Sequence, residues 1–128
     1  MAKSEPNRHN ASLGGAGERL AVAYLQERRF KIVEQNYRCR GGEIDIVARD
    51  GKIYVFIEVK CRLSACYGPP QSAVTPFKQR QISKAALTWL AANHKHDVDA
   101  RFDVVAISFR SSGEPVIEHI VNAFDLAY

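Results

Sequence analysis

GEIDIVARDGKIYVFIEVK, residues 42–60, decides how this chain folds. Two apolar-rich runs flank Asp50-Gly51, a dipeptide favoured in the two-residue type I′ turns of β-hairpins. Paired through that turn, Arg49 faces Lys52, Val47 faces Tyr54, Asp45 faces Phe56 and Glu43 faces Glu58. Opposed residues share a face of the sheet, as do residues two apart along one strand. Asp45, Glu58 and Lys60 therefore emerge on one side, with Asp45 diagonal to Glu58 at roughly 5–8 Å. A three-residue turn would instead send Asp45 to the opposite face. Residues 53–59 are apolar on both faces, which predicts a central strand covered on both sides.

An acid and a base at the end of such a strand need a reason. Acids and bases that alternate near a strand end ordinarily form a solvated edge with weak ion pairs. Burial of residues 53–57 argues against that reading. Two carboxylates within reach of one another repel unless something positive lies between them. Hard oxygen ligands favour Mg²⁺ or Mn²⁺ over zinc. A cation held by Asp45 and Glu58, with Lys60 roughly 6–7 Å further along the same face, has the parts for hydrolysis of a phosphodiester.

Outward from the hairpin, a helix is expected from near Ser12 to about Arg29. Leu13, Ala16, Leu20, Ala23, Tyr24 and Glu27 trace one helical side. A second row, Glu18, Ala21, Val22 and Leu25, falls at helical spacing with Glu18 at its head. FKIVE (30–34) alternates as a short strand, and NYRCRGG (36–42) reads as a basic connection. LSACYGPPQSAV (63–74) reads as a loop. Thr75-Pro76 is an N-cap followed by Pro at the first helical position. That helix should reach about Ala92, with Phe77, Ile82, Ala85, Ala86, Trp89 and Leu90 inward. RFDVVAISF (101–109) and PVIEHIV (115–121) are strands joined through SSGE. The order helix, three strands, helix, two strands predicts an α/β sandwich with a mixed sheet.

The 128 residues suffice for one domain with a real core. MAKSEPNRHN reads as a disordered polar tail, so residues 1–11 are set apart from a single domain at 12–128. No apolar run approaches the roughly 18 residues of a membrane span, and no partner membrane is expected. Three cysteines without a CxxC signal neither a disulfide framework nor a zinc site, which fits a reducing cytoplasm. The net charge of +4 is compatible with a polyanionic partner.

Asp45, a hairpin and then Glu58-Val59-Lys60 resemble the PD-(D/E)xK nuclease signature. GxxGE at 14–18, NYRCRGGEIDIVARDG at 36–51 and VFIEVKCR at 55–62 look like the YraN family of small bacterial predicted endonucleases. AVTPFKQRQI at 73–82 and RFDVVAI at 101–107 continue the match. The chain is similar, more distantly, to archaeal-type Holliday-junction resolvases. The resemblance implies a restriction-endonuclease-like three-layer sandwich, with Asp45 and Glu58 as metal ligands and Lys60 as the catalytic lysine. It also implies that Glu18 completes the site through an intervening water. Read from the helix alone, Glu18 is a first-turn glutamate favoured by the helix dipole. Ile44 stands where the superfamily's Pro precedes the Asp. Resolvases of this fold act as dimers, so a homodimer follows by analogy.

Arg38, Arg40, Arg62, Arg80 and Lys84 are candidate phosphate contacts, which position a duplex without reading its sequence. Gln71 and Lys78 are secondary candidates for binding nucleic acid. Glu43 is expected to pair with a nearby Arg, Tyr37 and Tyr67 to pack, and Asp103 to form a structural salt bridge. His94 and His96 read as a solvated linker. The expected activity is Mg²⁺- or Mn²⁺-dependent cleavage of DNA, with branched or flapped structures as candidate substrates. The alternative is a binding or adaptor module that keeps the fold without turnover.

Overall fold

The computed structural model describes residues 8–63 and 74–127. In chain order the elements are α1 (Arg8–Glu27), β1 (Lys31–Cys39), β2 (Gly42–Asp50), β3 (Ile53–Arg62), α2 (Pro76–Ala92), β4 (Ala100–Ser108) and β5 (Val116–Phe124). The strands form one five-stranded sheet in the order β1-β2-β3-β4-β5. β3 and β4 run parallel and the other pairs antiparallel, so the sheet is mixed. The α2 residues Ile82, Ala85, Ala86 and Trp89 pack on Tyr54, Phe56, Phe102 and Val104. The α1 residues Ala21 and Leu25 pack on the alternate positions Val55, Ile57, Val105 and Ile107. The helices thus cover opposite faces, giving the expected three-layer sandwich with β3 at its centre.

The central hairpin forms with its turn displaced by one residue. Asp50 pairs with Ile53, so the loop is Gly51-Lys52 rather than Asp50-Gly51. Gly51 adopts φ 65° while Lys52 is not left-handed, which matches a type II′ pattern better than I′. The displacement moves every pairing by two positions and so preserves the faces. Val47 meets Phe56, not Tyr54.

Four other expectations need correction. β1 runs on to Cys39, and the basic connection shrinks to Arg40-Gly41, because Tyr37 and Cys39 pack against the α2-side core. α1 begins at Arg8, so residues 8–11 of the expected tail are helical. Its buried stripe is Gly17-Ala21-Leu25, and Ala23 and Glu27 face solvent. α2 starts as expected, with the Lys78 N–H donating to Thr75 Oγ1 at 3.2 Å. Phe77, however, is 62% exposed instead of inward. Gln71, Cys66 and Tyr67 lie outside the described residues. No helix among those described is long and apolar enough to cross a membrane.

On the α2 side the core is an aromatic stack. Trp89 meets Tyr54 and Phe56, Phe56 meets Phe102, and Phe102 stacks on Phe124 with centroids 5.0 Å apart. Such pairs contribute about 0.5–1.5 kcal/mol each beyond their burial. Trp89 also donates Nε1–H to Glu34 at 2.8 Å, tying α2 to the edge strand β1.

On the α1 side, Gly17 sits against β3. A Cβ there would overlap the Cys61 sulfur, so only glycine lets α1 approach this closely. Gly17→Ala is expected to cost about 1–3 kcal/mol through overpacking, beyond what alanine's helix propensity recovers. Urea denaturation should show that loss, and Gly17→Ala/Cys61→Ala should recover most of it.

Candidate active site

The site begins where β2 and β3 part. Their ladder is regular from Asp50↔Ile53 to Ile46↔Ile57. One more step of that register sets Asp45 opposite Glu58, directly rather than diagonally. Here the backbone rung is replaced by a side chain: Asp45 Oδ2 accepts from the Val59 N–H at 2.8 Å. Ile44 and Ile46, two apart, would share a face of a regular strand. Instead Ile44 joins the α2-side core and Ile46 the α1-side core. The alternation resets at Asp45, beside Asn36 of β1, which is left-handed at φ 54°. Asp45 therefore lies edge-on between the two faces.

The two faces supply different partners. Glu58 continues the α2-side row of Tyr54 and Phe56, and Lys78 Nζ of α2 stands 3.9 Å from Glu58 Oε2. Lys60 follows on that face by alternation. Glu18 arrives across the other face on α1, held there by the close approach at Gly17. Its Oε1 accepts from Asn36 Nδ2 at 3.4 Å, and its Oε2 is buried without a hydrogen-bond partner. Glu18 and Asp45 line a cavity of about 440 Å³ together with Gly15, Asn36, Arg38, Glu43, Val59 and Cys61. The expectation that Asp45, Glu58 and Lys60 share one face is thus corrected. With Glu18 they lie at the open end of the β2–β3 pair on both faces, with Asp45 between.

Electrostatics reports the same arrangement. Burial, then the Asp45 charge, pushes Glu58 up to about 7, against the pull of Lys78 and Lys60. Burial also raises Asp45, with the Val59 N–H opposing and Glu43 adding to the rise. Glu18 is raised first by burial and then by Asp45. Three carboxylates held above their ordinary range, at a place where buried groups concentrate on function, mark a candidate site.

The donor set suits a divalent cation in its chemistry. It is all carboxylate oxygen, and one Glu18 oxygen is buried with nothing to satisfy it. Among the described residues, though, no three His, Cys, Asp or Glu side chains are gathered closely enough to hold a metal ion. Asp45 faces Glu58 across the strand pair and lines the cavity together with Glu18.

The matched family model, described as Uncharacterised protein family UPF0102, covers residues 17–107. The chain belongs to UPF0102. It is 68% identical to a UPF0102 protein of Geobacter metallireducens over 94% of this chain and 98% of that one. A UPF0102 protein of Geobacter sulfurreducens is 62% identical over the whole of both chains. One of Geotalea uraniireducens is 60% identical over 98% and 99%. The UPF0102 match spans Glu18, Asp45, Glu58, Lys60 and Lys78, and stops short of β5.

The remaining candidates of this UPF0102 chain divide clearly. Arg38 is 74% exposed at its side chain and pairs with Glu43 at 3.2 Å, as Glu43 was expected to do. Arg40, Arg80 and Lys84 are exposed. Arg62 has a side chain 16% exposed, donates Nε–H to Ser108 Oγ at 3.1 Å and reaches Glu118 at 3.8 Å. It braces β3 against β4 and β5. Asp103 pairs with Arg101 as expected, Nε to Oδ1 at 2.9 Å. Sequence reasoning missed its second partner, His119 on β5, with Nε2 2.7 Å from Asp103 Oδ2. It also ranked Lys78 only as a secondary candidate for binding nucleic acid. The available signal was its place in the first turn of a helix following a loop from the Glu58 strand.

Proposed function

We propose that this chain is a metal-dependent nuclease that hydrolyses phosphodiester bonds, with DNA as the substrate, and that it acts in the cytoplasm. The observation that carries this reading is the juxtaposition of the buried Glu58 with the half-buried Asp45, at a strand opening flanked by lysine. The YraN and PD-(D/E)xK resemblance of the same residues supports it. Asp45 and Glu58 would hold Mg²⁺ or Mn²⁺, with Glu18 in the outer sphere. When bound, the cation supplies polarisation of the phosphate and a more acidic water.

The chain's own groups do the rest. Lys60, two residues beyond Glu58 on the α2 face, orients the attacking water and offsets charge on the pentacoordinate phosphorus. Lys78 balances Glu58 while no cation is present. Asp45 is held in place by the Val59 N–H, so its carboxylate is fixed before substrate arrives.

Purified protein given branched, single-stranded and duplex DNA with Mn²⁺ or Mg²⁺ should cut at least one of them. Lys60→Ala should lower the rate on the order of 10²–10³-fold, the cost of removing one preorganised charge donor. Cleavage undiminished in both Lys60→Ala and Glu58→Ala would reject the assigned site. One observation favours a second reading, a binding module without turnover: no three potential ligands are gathered among the described residues. That reading expects salt-dependent binding and no cutting with either metal. Action on a symmetric junction would also require a dimer, which sedimentation would reveal.

A further inference from the structure

A second cavity of about 280 Å³ lies against the first, lined by Arg38, Cys39, Arg40, Gly41, Gly42, Glu43, Lys78 and Gln81. Arg38 and Glu43 line both, so their ion pair is the shared wall. The charges separate across it. The first cavity collects Glu18, Asp45 and Glu43 with one arginine; the second collects Arg38, Arg40 and Lys78 with one acid, which Arg38 already pairs.

The second cavity is also held in shape. A Cβ at Gly42 would collide with the Gln81 carbonyl, so the β1–β2 turn is seated directly on α2. At Gly41 a Cβ would lie 3.2 Å from Lys84 Cδ, which lays the Lys84 stem along the same rim. Lys78, which lines this cavity, also stands 3.9 Å from Glu58 Oε2.

From this juxtaposition we infer that the cavity between the β1–β2 turn and the first turns of α2 is a phosphate subsite, which holds the nucleic-acid backbone next to the bond being cut. Cations that surround a rigid hollow, rather than scatter over a surface, fix the register of a strand on the protein. The inference rests on the nuclease reading for what is cut, and on this cavity alone for what is bound.

The test is the salt dependence of binding to one DNA duplex, measured by fluorescence anisotropy without divalent metal. Arg40→Gln and Lys84→Gln are each expected to reduce the slope of log K against log salt by about 0.9, one phosphate contact apiece. Lys52→Gln, on the opposite turn of the β2–β3 hairpin, should leave the slope unchanged. An unchanged slope in both rim variants, or an equal fall in Lys52→Gln, would overturn the subsite. The failures are separable. If nothing is cut but the rim variants lose slope, the nuclease reading falls and the subsite stands. Cleavage with unmoved slopes means the reverse.

Discussion

Glu58→Gln is expected to stabilise the metal-free protein by on the order of 3 kcal/mol at pH 8, and by almost nothing at pH 4. The Glu58 carboxyl titrates near 7 when folded, against an ordinary value of 4.5. Between those values the folded chain keeps a proton that the unfolded chain has lost, so stability falls as pH rises. The amide is as large as the acid but carries no charge to desolvate, and it no longer repels Asp45. It forfeits the pairing with Lys78, whose pull is already contained in that value near 7. Urea denaturation at the two pH values reads the difference. A loss of stability at pH 8 would show that Glu58 is a structural anchor. Groups kept at a cost to the fold are typical of sites retained for chemistry.

Asp103→Ala is expected to destabilise by about 3–5 kcal/mol, the cost of breaking a buried pair by removing one partner. Asp103 is fully buried on β4 and makes four contacts. Arg101 donates through Nε at 2.9 Å and Nη2 at 3.2 Å, the Asn122 N–H donates at 2.9 Å, and His119 lies 2.7 Å away. Burial alone would raise this carboxyl, but the bonds from His119, Arg101 and Asn122 outweigh it and hold it below its ordinary value. Alanine would strand His119 among the Tyr24 and Phe30 rings. Asp103→Asn keeps most of the bonding and should lose less. A depressed carboxylate contributes stability above its unfolded value that disappears as pH falls below it. With Glu58 acting in the opposite sense above 4.5, and Asp103 losing its contribution only below about 3.8, the metal-free protein should be most stable near pH 4.

What the sequence discloses here follows from period and composition. The alternation over residues 42–60 is strong enough to give the hairpin, its burial on two faces and the carboxylate pair. A one-residue error in the turn did no harm, because it moved both strands together and left the face of each side chain unchanged. The Thr75-Pro76 helix start was legible because the cap is local chemistry.

Long-range features were not legible. The reset at Asp45 lies beside the left-handed Asn36 of a neighbouring strand, and an asparagine has no fixed reading until its partner strand is known. In the sequence Gly17 is only one glycine of the GxxGE block at 14–18. Its role appears only when Cys61 is laid against it. His119 was hidden in an ordinary strand pattern, since Asp103 meets it across the β4–β5 pair, 16 residues away.

The most direct measurement of the central claim, that Asp45 and Glu58 form a divalent-cation site, is calorimetric titration of the protein with Mn²⁺ at pH 7.5 and pH 5.5. One ion per chain should bind at pH 7.5. Affinity should weaken at pH 5.5, where protonation of Glu58 competes, and binding should vanish in Glu58→Ala. No uptake at millimolar Mn²⁺, or uptake unchanged in Glu58→Ala, would contradict the account.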